Sequence, residues 1–242
     1  MNLFDSIIID FTNHYAGRSW AVDTMVGLIA SNGLVKGGLL LTIFWWGWFR
    51  ANQNQAYVRV HLISTYISCF MAMILARAID LLAPFRVRPL HEQSLDFLLP
   101  IGIEPTSLEG WSSFPSDHAV LFYALSTGTF FISKKVGLIA IVYTTLFIGL
   151  PRVYLGLHYP TDIVGGALIG IMIASLCNLT LFTEKISQPV LDWSNSEPGI
   201  FYPAFFIASY QIADMFDSSR AIGRFLISIY QATYTLVRTA LG

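Results

Sequence analysis

The sequence predicts an all-α protein: a polytopic membrane helical bundle of about six transmembrane helices, with amphipathic helices at the two termini. Two observations carry that reading. Of the 242 residues 55% are hydrophobic and only 12% charged, and the mean hydropathy is +0.60. The apolar residues also gather into runs of the length that crosses a hydrocarbon layer, about 17–25 residues. A formal net charge of −1 gives no basic field, so nucleic acid is not expected as a partner. Cys69 and Cys177 both lie in apolar runs and read as small buried hydrophobes rather than a disulfide.

Residues 1–33 mix apolar side chains with Asp5, Asp10, His14, Arg18 and Asp23. That pattern is no cleavable signal peptide; it predicts an amphipathic segment lying against the bilayer or the bundle. The first span is expected at 34–50, with Trp45, Trp46 and Trp48 clustered at its end as an interfacial belt. The second covers 57–83, interrupted only by His61, Arg77 and Asp80, and Pro84 and Pro89 stop it. Residues 84–115 form the longest polar segment, and a loop of that length in a compact bundle is usually functional. The third span is expected from Ser116 to Ser133, and the fourth over 136–150 after a Lys134-Lys135 turn. A loop from Pro151 to Pro160 precedes the fifth, over 161–182. A polar stretch over 183–199 leads to a sixth, over 200–216. The bundle is thus one unit, 34–216, followed by an amphipathic tail, 217–242, with Arg220, Arg224 and Arg238 among apolar residues.

Within the bundle, the residues able to do chemistry fall between 77 and 162 in three blocks. These are Arg88-Pro89, then Pro115-Ser116-Asp117-His118, then Arg152 followed by His158 and Asp162. Successive spans alternate in direction, so the loops after spans two and four share one face, and all three blocks lie at those loops. Arg50, Arg59, Lys134, Lys135 and Lys185 fall on the opposite face, which the positive-inside bias makes cytoplasmic. The blocks are therefore expected to face outward from a plasma (inner) membrane.

Each block has a chemical and a plain reading. Ser116 is a natural N-cap, and the amides of a helix N-terminus can cradle phosphate, with His118 an acid aimed at a leaving group. The plain alternative is a cap beside an interfacial histidine. Asp162, four residues after His158, can accept one imidazole N–H and leave the other nitrogen free to attack; the alternative is a surface histidine near a capping carboxylate. Arg77, Arg86, Arg88 and Arg152 are candidate oxyanion donors. Arg77 stands inside an apolar span, where a charge costs at least about 2.5 kcal/mol, so it needs a partner or a polar cavity. Asp80, three residues on, offers an internal ion pair instead. No Cys/His ligand spacing exists, so neither a metal nor a cofactor is expected.

Together the blocks resemble the signature of the type 2 phosphatidic acid phosphatase superfamily, the integral-membrane lipid phosphatases. That signature runs lysine, six residues, Arg-Pro; Pro-Ser-Gly-His; and Ser-Arg, five residues, His, three residues, Asp. Here it appears as Arg88-Pro89, Pro115-Ser116-x-His118 and Arg152-x5-His158-x3-Asp162. Three positions depart from it. The lysine falls at Leu81, so Arg77 or Arg86 is expected to provide the missing cation. Asp117 replaces glycine, adding a carboxylate that should repel an anion unless an arginine pairs with it. Pro151 replaces serine.

The resemblance implies a metal-independent lipid phosphatase working through a phosphohistidine. His158, oriented by Asp162, would attack phosphorus. Arg88, Arg152 and the Ser116 helix end would hold its oxygens, and His118 would protonate the leaving group. The partner is then a lipid phosphate: a polyprenyl diphosphate, phosphatidylglycerol phosphate, phosphatidate or a lipid A-type phosphate. A phosphotransferase would use the same site, and a silent lipid-binding or lipid-translocating protein is the alternative from another class. The related vanadium haloperoxidases are soluble, which several apolar spans argue against.

Overall fold

Helices are the only regular elements among the described residues, which are 2–51 and 53–241 of the backbone, with side chains as far as Gln231, in this computed structural model. Two short helices come first, α1 (Leu3–Asn13) and α2 (Trp20–Ser31). α3 (Leu34–Phe49) opens with a π turn at Leu34–Gly38 and meets α2 at a 62° bend. α4 (Gln55–Leu82) precedes the long loop, and α5 (Asp117–Gly128) follows it. Then come α6 (Lys134–Tyr154), α7 (Pro160–Cys177), α8 (residues 180–196), α9 (Pro198–Ala213) and α10 (Asp217–Leu241).

α4, α6 and α7 are long and apolar enough to cross a bilayer, and α2 with α3 adds a fourth if the bent pair is one span. By length and composition that is three or four spans, fewer than six. α5 and α9 pack beside them but have 12 and 16 residues, short of the roughly 20 a hydrocarbon core requires.

Three boundaries differ from the sequence reading. The fourth helix does not stop at Pro151 but runs on to Tyr154, so Arg152 sits on a helix and not in a loop. A π turn at Thr144–Gly149 has already broken the regular ladder just ahead of the proline, so its missing N–H interrupts little. The fifth helix ends at Cys177, where the Asn178 side chain turns back to Ala174 O (2.7 Å) and to His61 Nδ1 (2.8 Å). The polar stretch over 183–199 is mostly helical, as α8. Its Ser187 hydroxyl is buried against Ser64 at 2.6 Å, and Gln188 donates to Asp192 one turn on.

The main core is built around α4, against which α3, α5, α7 and α9 pack. Trp48 stacks on Phe201, and Tyr66 packs on Phe205 with ring centroids 4.6 Å apart. Its polar atoms pair internally, as Tyr66 OH does with Ser209 Oγ at 2.9 Å, because hydrocarbon surroundings offer no water to them. Apolar side chains such as Ile74, Leu138 and Leu168 point outward, as lipid-facing surface should.

α5 and α7 set the position of the site. A Cβ on Gly170 would lie 2.3 Å from Val120 O, and one on Gly166 would lie 2.8 Å from Ser116 O. The two backbones therefore touch, and small residues four apart are what permit it. Close contact along this seam brings the N-termini of α5 and α7 side by side. α1 and α2 brace the long loop at the same end. Asn13 exchanges two hydrogen bonds with the Leu98 backbone (2.7 and 2.8 Å), and Asp23 Oδ2 accepts from Ile101 N at 2.8 Å.

Candidate active site

A cavity of about 520 Å³ opens beside the two helix N-termini. Arg77, Arg88, Asp117, His118, Arg152 and His158 all line it, so the three sequence blocks converge there. Ser116, Asp162 and Arg86 are not among its lining residues.

His158 lies in the short turn between α6 and α7, which Gly156 makes possible by adopting φ +67°. The ring is buried, and its Nδ1 is 2.7 Å from the Ser113 carbonyl oxygen. A carbonyl can only accept, so Nδ1 carries the proton and Nε2 keeps its lone pair. Asp162 does not make this contact, since its nearer oxygen lies 3.9 Å from Nδ1. It instead accepts from Ser113 Oγ at 2.6 Å and from Tyr159 N at 2.8 Å, and pairs with Arg86. The expected direct contact between aspartate and histidine is thus replaced by a relay through Ser113. Burial, and then the nearby Arg88 guanidinium, hold His158 well below the usual imidazole range, so it is neutral at pH 7.

Arg88 is fixed by three backbone carbonyls, donating to Trp111 O (3.1 Å), Ser112 O (2.8 Å) and Leu157 O (2.5 Å). Its Nη1 also lies 3.3 Å from His158 Nε2, which places a guanidinium beside the free imidazole nitrogen. Arg152 donates to His118 Nε2 and to Ala30 O (2.8 Å), and its buried Nε has no partner among the described residues. Ser116 caps α5, accepting from Ala119 N at 3.4 Å, and is fully buried. Its hydroxyl shapes the helix entry and does not face the cavity.

Arg77 and Arg86, the two candidates for the missing cation, have different places. Arg77 lines the cavity, stacks over Trp111 and bonds both Asp80 (3.2 Å) and Asp117. Asp117 is accordingly paired, as the sequence required of it. Arg86 is a structural clamp: it lies over Tyr159 and joins Asp162, Thr161 (3.0 Å) and Asp5 (2.8 Å).

Four features were not singled out from the sequence. Ser113 carries the relay, and no motif marks it. Asp5 reaches from α1 to Thr161 N (2.9 Å) and Arg86; an acidic residue in an amphipathic helix gives no hint of a partner 156 positions away. Lys36 lines the cavity, and its place in an apolar run was a usable signal, by the reasoning applied to Arg77. Arg220 and Arg224 reach the cavity from α10.

The sequence profile of the PAP2 superfamily matches residues 62–186, just over half of the chain. The "bacitracin transport permease protein BcrC" of Bacillus licheniformis is 28% identical over 174 residues, 71% of this chain and 79% of that protein. The "undecaprenyl-diphosphatase BcrC" of Bacillus subtilis is 26% identical over 155 residues, 64% of this chain and 72% of that one. A crystal structure of a transmembrane PAP2-type phosphatidylglycerolphosphate phosphatase from Bacillus subtilis is 26% identical, with a TM-score of 0.44. It covers 75% of this chain and 85% of that one. The family match and the named relatives make the chain a helical membrane phosphatase. The chain belongs to the PAP2 superfamily.

Proposed function

We propose that this protein is a metal-independent lipid phosphatase that works through a phosphohistidine at His158, with a polyprenyl diphosphate as the first substrate to consider. The observation that carries the reading is the His158 ring, with Nδ1–H committed to Ser113 O and Nε2 unprotonated beside Arg88, in the cavity that also holds His118. The substrate rests on the undecaprenyl-diphosphatase among the relatives. Phosphatidylglycerol phosphate, phosphatidate and lipid A-type phosphates also present a terminal phosphoryl group, on an ester oxygen rather than an anhydride oxygen.

In the first step the Nε2 lone pair attacks phosphorus in line, and the bond from phosphorus to the leaving oxygen breaks. Arg88 and Arg152 stabilise the equatorial oxygens. Turning Arg152 from His118 onto a phosphate oxygen frees His118 Nε2 to carry the proton that the leaving group takes. In the second step His118 accepts a proton from water, the water oxygen bonds phosphorus, and the N–P bond breaks. Inorganic phosphate leaves and His158 is restored. Asp162 acts from behind, through Ser113, by holding the carbonyl that fixes the His158 tautomer. The headgroup reacts at the outer bilayer edge while the lipid tail stays among the helices.

The test is phosphate release in detergent, with chelator present, over these four lipids. Wild type is run beside His158→Ala and His118→Ala. Release that survives chelation and is lost in both variants is expected, strongest on the diphosphate. Release persisting in His158→Ala would remove that residue as the nucleophile, and release abolished by chelator would remove the metal-independent scheme.

A further inference from the structure

Most of the charges that line the cavity are already answered by the protein. Arg77 is paired with two aspartates, Arg220 with Asp217 at 2.5 Å, and Arg88 is held by three carbonyls. Lys36 is the exception of interest. It is only 6% exposed, it lines the cavity, and its ammonium has no hydrogen bond or ion pair among the described residues. Asp214 and Asp217 act on this charge only through space, without an ion pair, and a charge so enclosed persists where an anion or a polar cavity meets it. Its backbone position is tightly set. Lys36 lies in the π turn that opens α3, and a Cβ on the neighbouring Gly37 would fall 2.5 Å from Ala213 Cα of α9. The turn is thus pressed against α9.

We infer that Lys36 is a substrate-phosphate ligand, the cation that takes over the role vacated at Leu81. Leu81 itself is 82% exposed and does not line the cavity. Arg86 is consumed by two buried carboxylates away from the cavity, and Arg77 is neutralised within it. Lys36 is a compact point charge on a flexible stem, able to follow a phosphate from the bound ester to the transition state. Six basic side chains line the cavity against three acidic ones, a surplus that suits the charge of a lipid diphosphate better than that of a diester. This assignment rests on the lipid phosphatase reading.

The test uses the full chain in detergent, with Lys36→Met and Lys36→Arg. Methionine preserves the volume and removes the buried charge, so Lys36→Met is expected to melt no lower than wild type. Its KM for polyprenyl diphosphate and its inhibition constant for inorganic phosphate are expected to rise by about tenfold, the scale of one charge-assisted contact, while Lys36→Arg keeps most of both. Unchanged values in a stable Lys36→Met, or a lower melting temperature with an unchanged inhibition constant, would overturn the assignment. If wild type hydrolyses none of the lipids, the rise in melting temperature with inorganic phosphate still decides it. A rise in wild type that Lys36→Met lacks supports the role, and an equal rise in both defeats it.

Discussion

At the scale of single residues, one imidazole governs the expected pH behaviour. The folded protein holds His158 below the ordinary histidine value of about 6.5. As pH falls past that value the unfolded chain takes up a proton before the native one. The stability this group contributes is therefore complete above about pH 6.5 and is lost as pH falls toward the folded value. The acid limb of kcat/KM, which reports the free enzyme, is expected below pH 6.5 for the same reason. Removing the Arg88 charge in Arg88→Met is expected to move that limb upward, as a pH profile on the residual activity would read. Arg86 belongs to a different argument. Arg86→Met leaves Asp5 and Asp162, both fully buried, without their guanidinium. A loss of about 3–5 kcal/mol in stability is expected from breaking such a set, measured by unfolding in detergent. The inhibition constant for inorganic phosphate should not change, because Arg86 does not line the cavity. The order and spacing of the three blocks predicted that His118, His158, Arg88 and Arg152 would converge, and all four line the cavity. Nothing in them disclosed that Ser113 would stand between Asp162 and His158, since that needs two loops to meet.

Among elements, the α5–α7 seam has a close backbone approach and carries both histidines at its end. Gly170→Ala would put a methyl group 2.3 Å from Val120 O, so the helices must separate or tilt. The expected cost is about 1–3 kcal/mol of stability, the range for overpacking, together with a lower kcat as His118 and His158 move apart. Thermal unfolding and turnover of the same preparation check it, and Gly199→Ala, where no atom lies within 4 Å, is the control. Composition predicted the helices themselves well, because apolar runs and prolines act locally. It misjudged the ends of α6, α7 and α8. There, a π turn, the Asn178 cap and the Ser64–Ser187 pair depend on contacts with other helices.

For the whole molecule, function depends on the side of the membrane to which the cavity opens. Arg50, Arg59, Lys134, Lys135 and Lys185, none of which lines the cavity, predict an outward-facing site. Ser94 and Lys135 are both exposed, the first in the long loop and the second at the start of α6. Ser94→Cys is expected to react with a membrane-impermeant maleimide on intact cells, and Lys135→Cys only after permeabilisation. Cys69 and Cys177 are buried, so the background should be low. Labelling of the reverse pattern would invert the topology.

The sequence by itself determined the class of fold and the helices of a membrane protein, and it singled out the side chains we propose for phosphoryl transfer, because hydropathy and motif spacing are local properties written in order along the chain. Only the tertiary structure decided which of those residues face the cavity. Arg77 and Arg86 look interchangeable in the sequence, yet one lines the site and the other clamps Asp5 to Asp162. Lys36 and Ser113 joined the site for the same reason. A buried charge or a backbone carbonyl gains its meaning from the distant groups packed against it, and close approach of α5 to α7 brought those groups together.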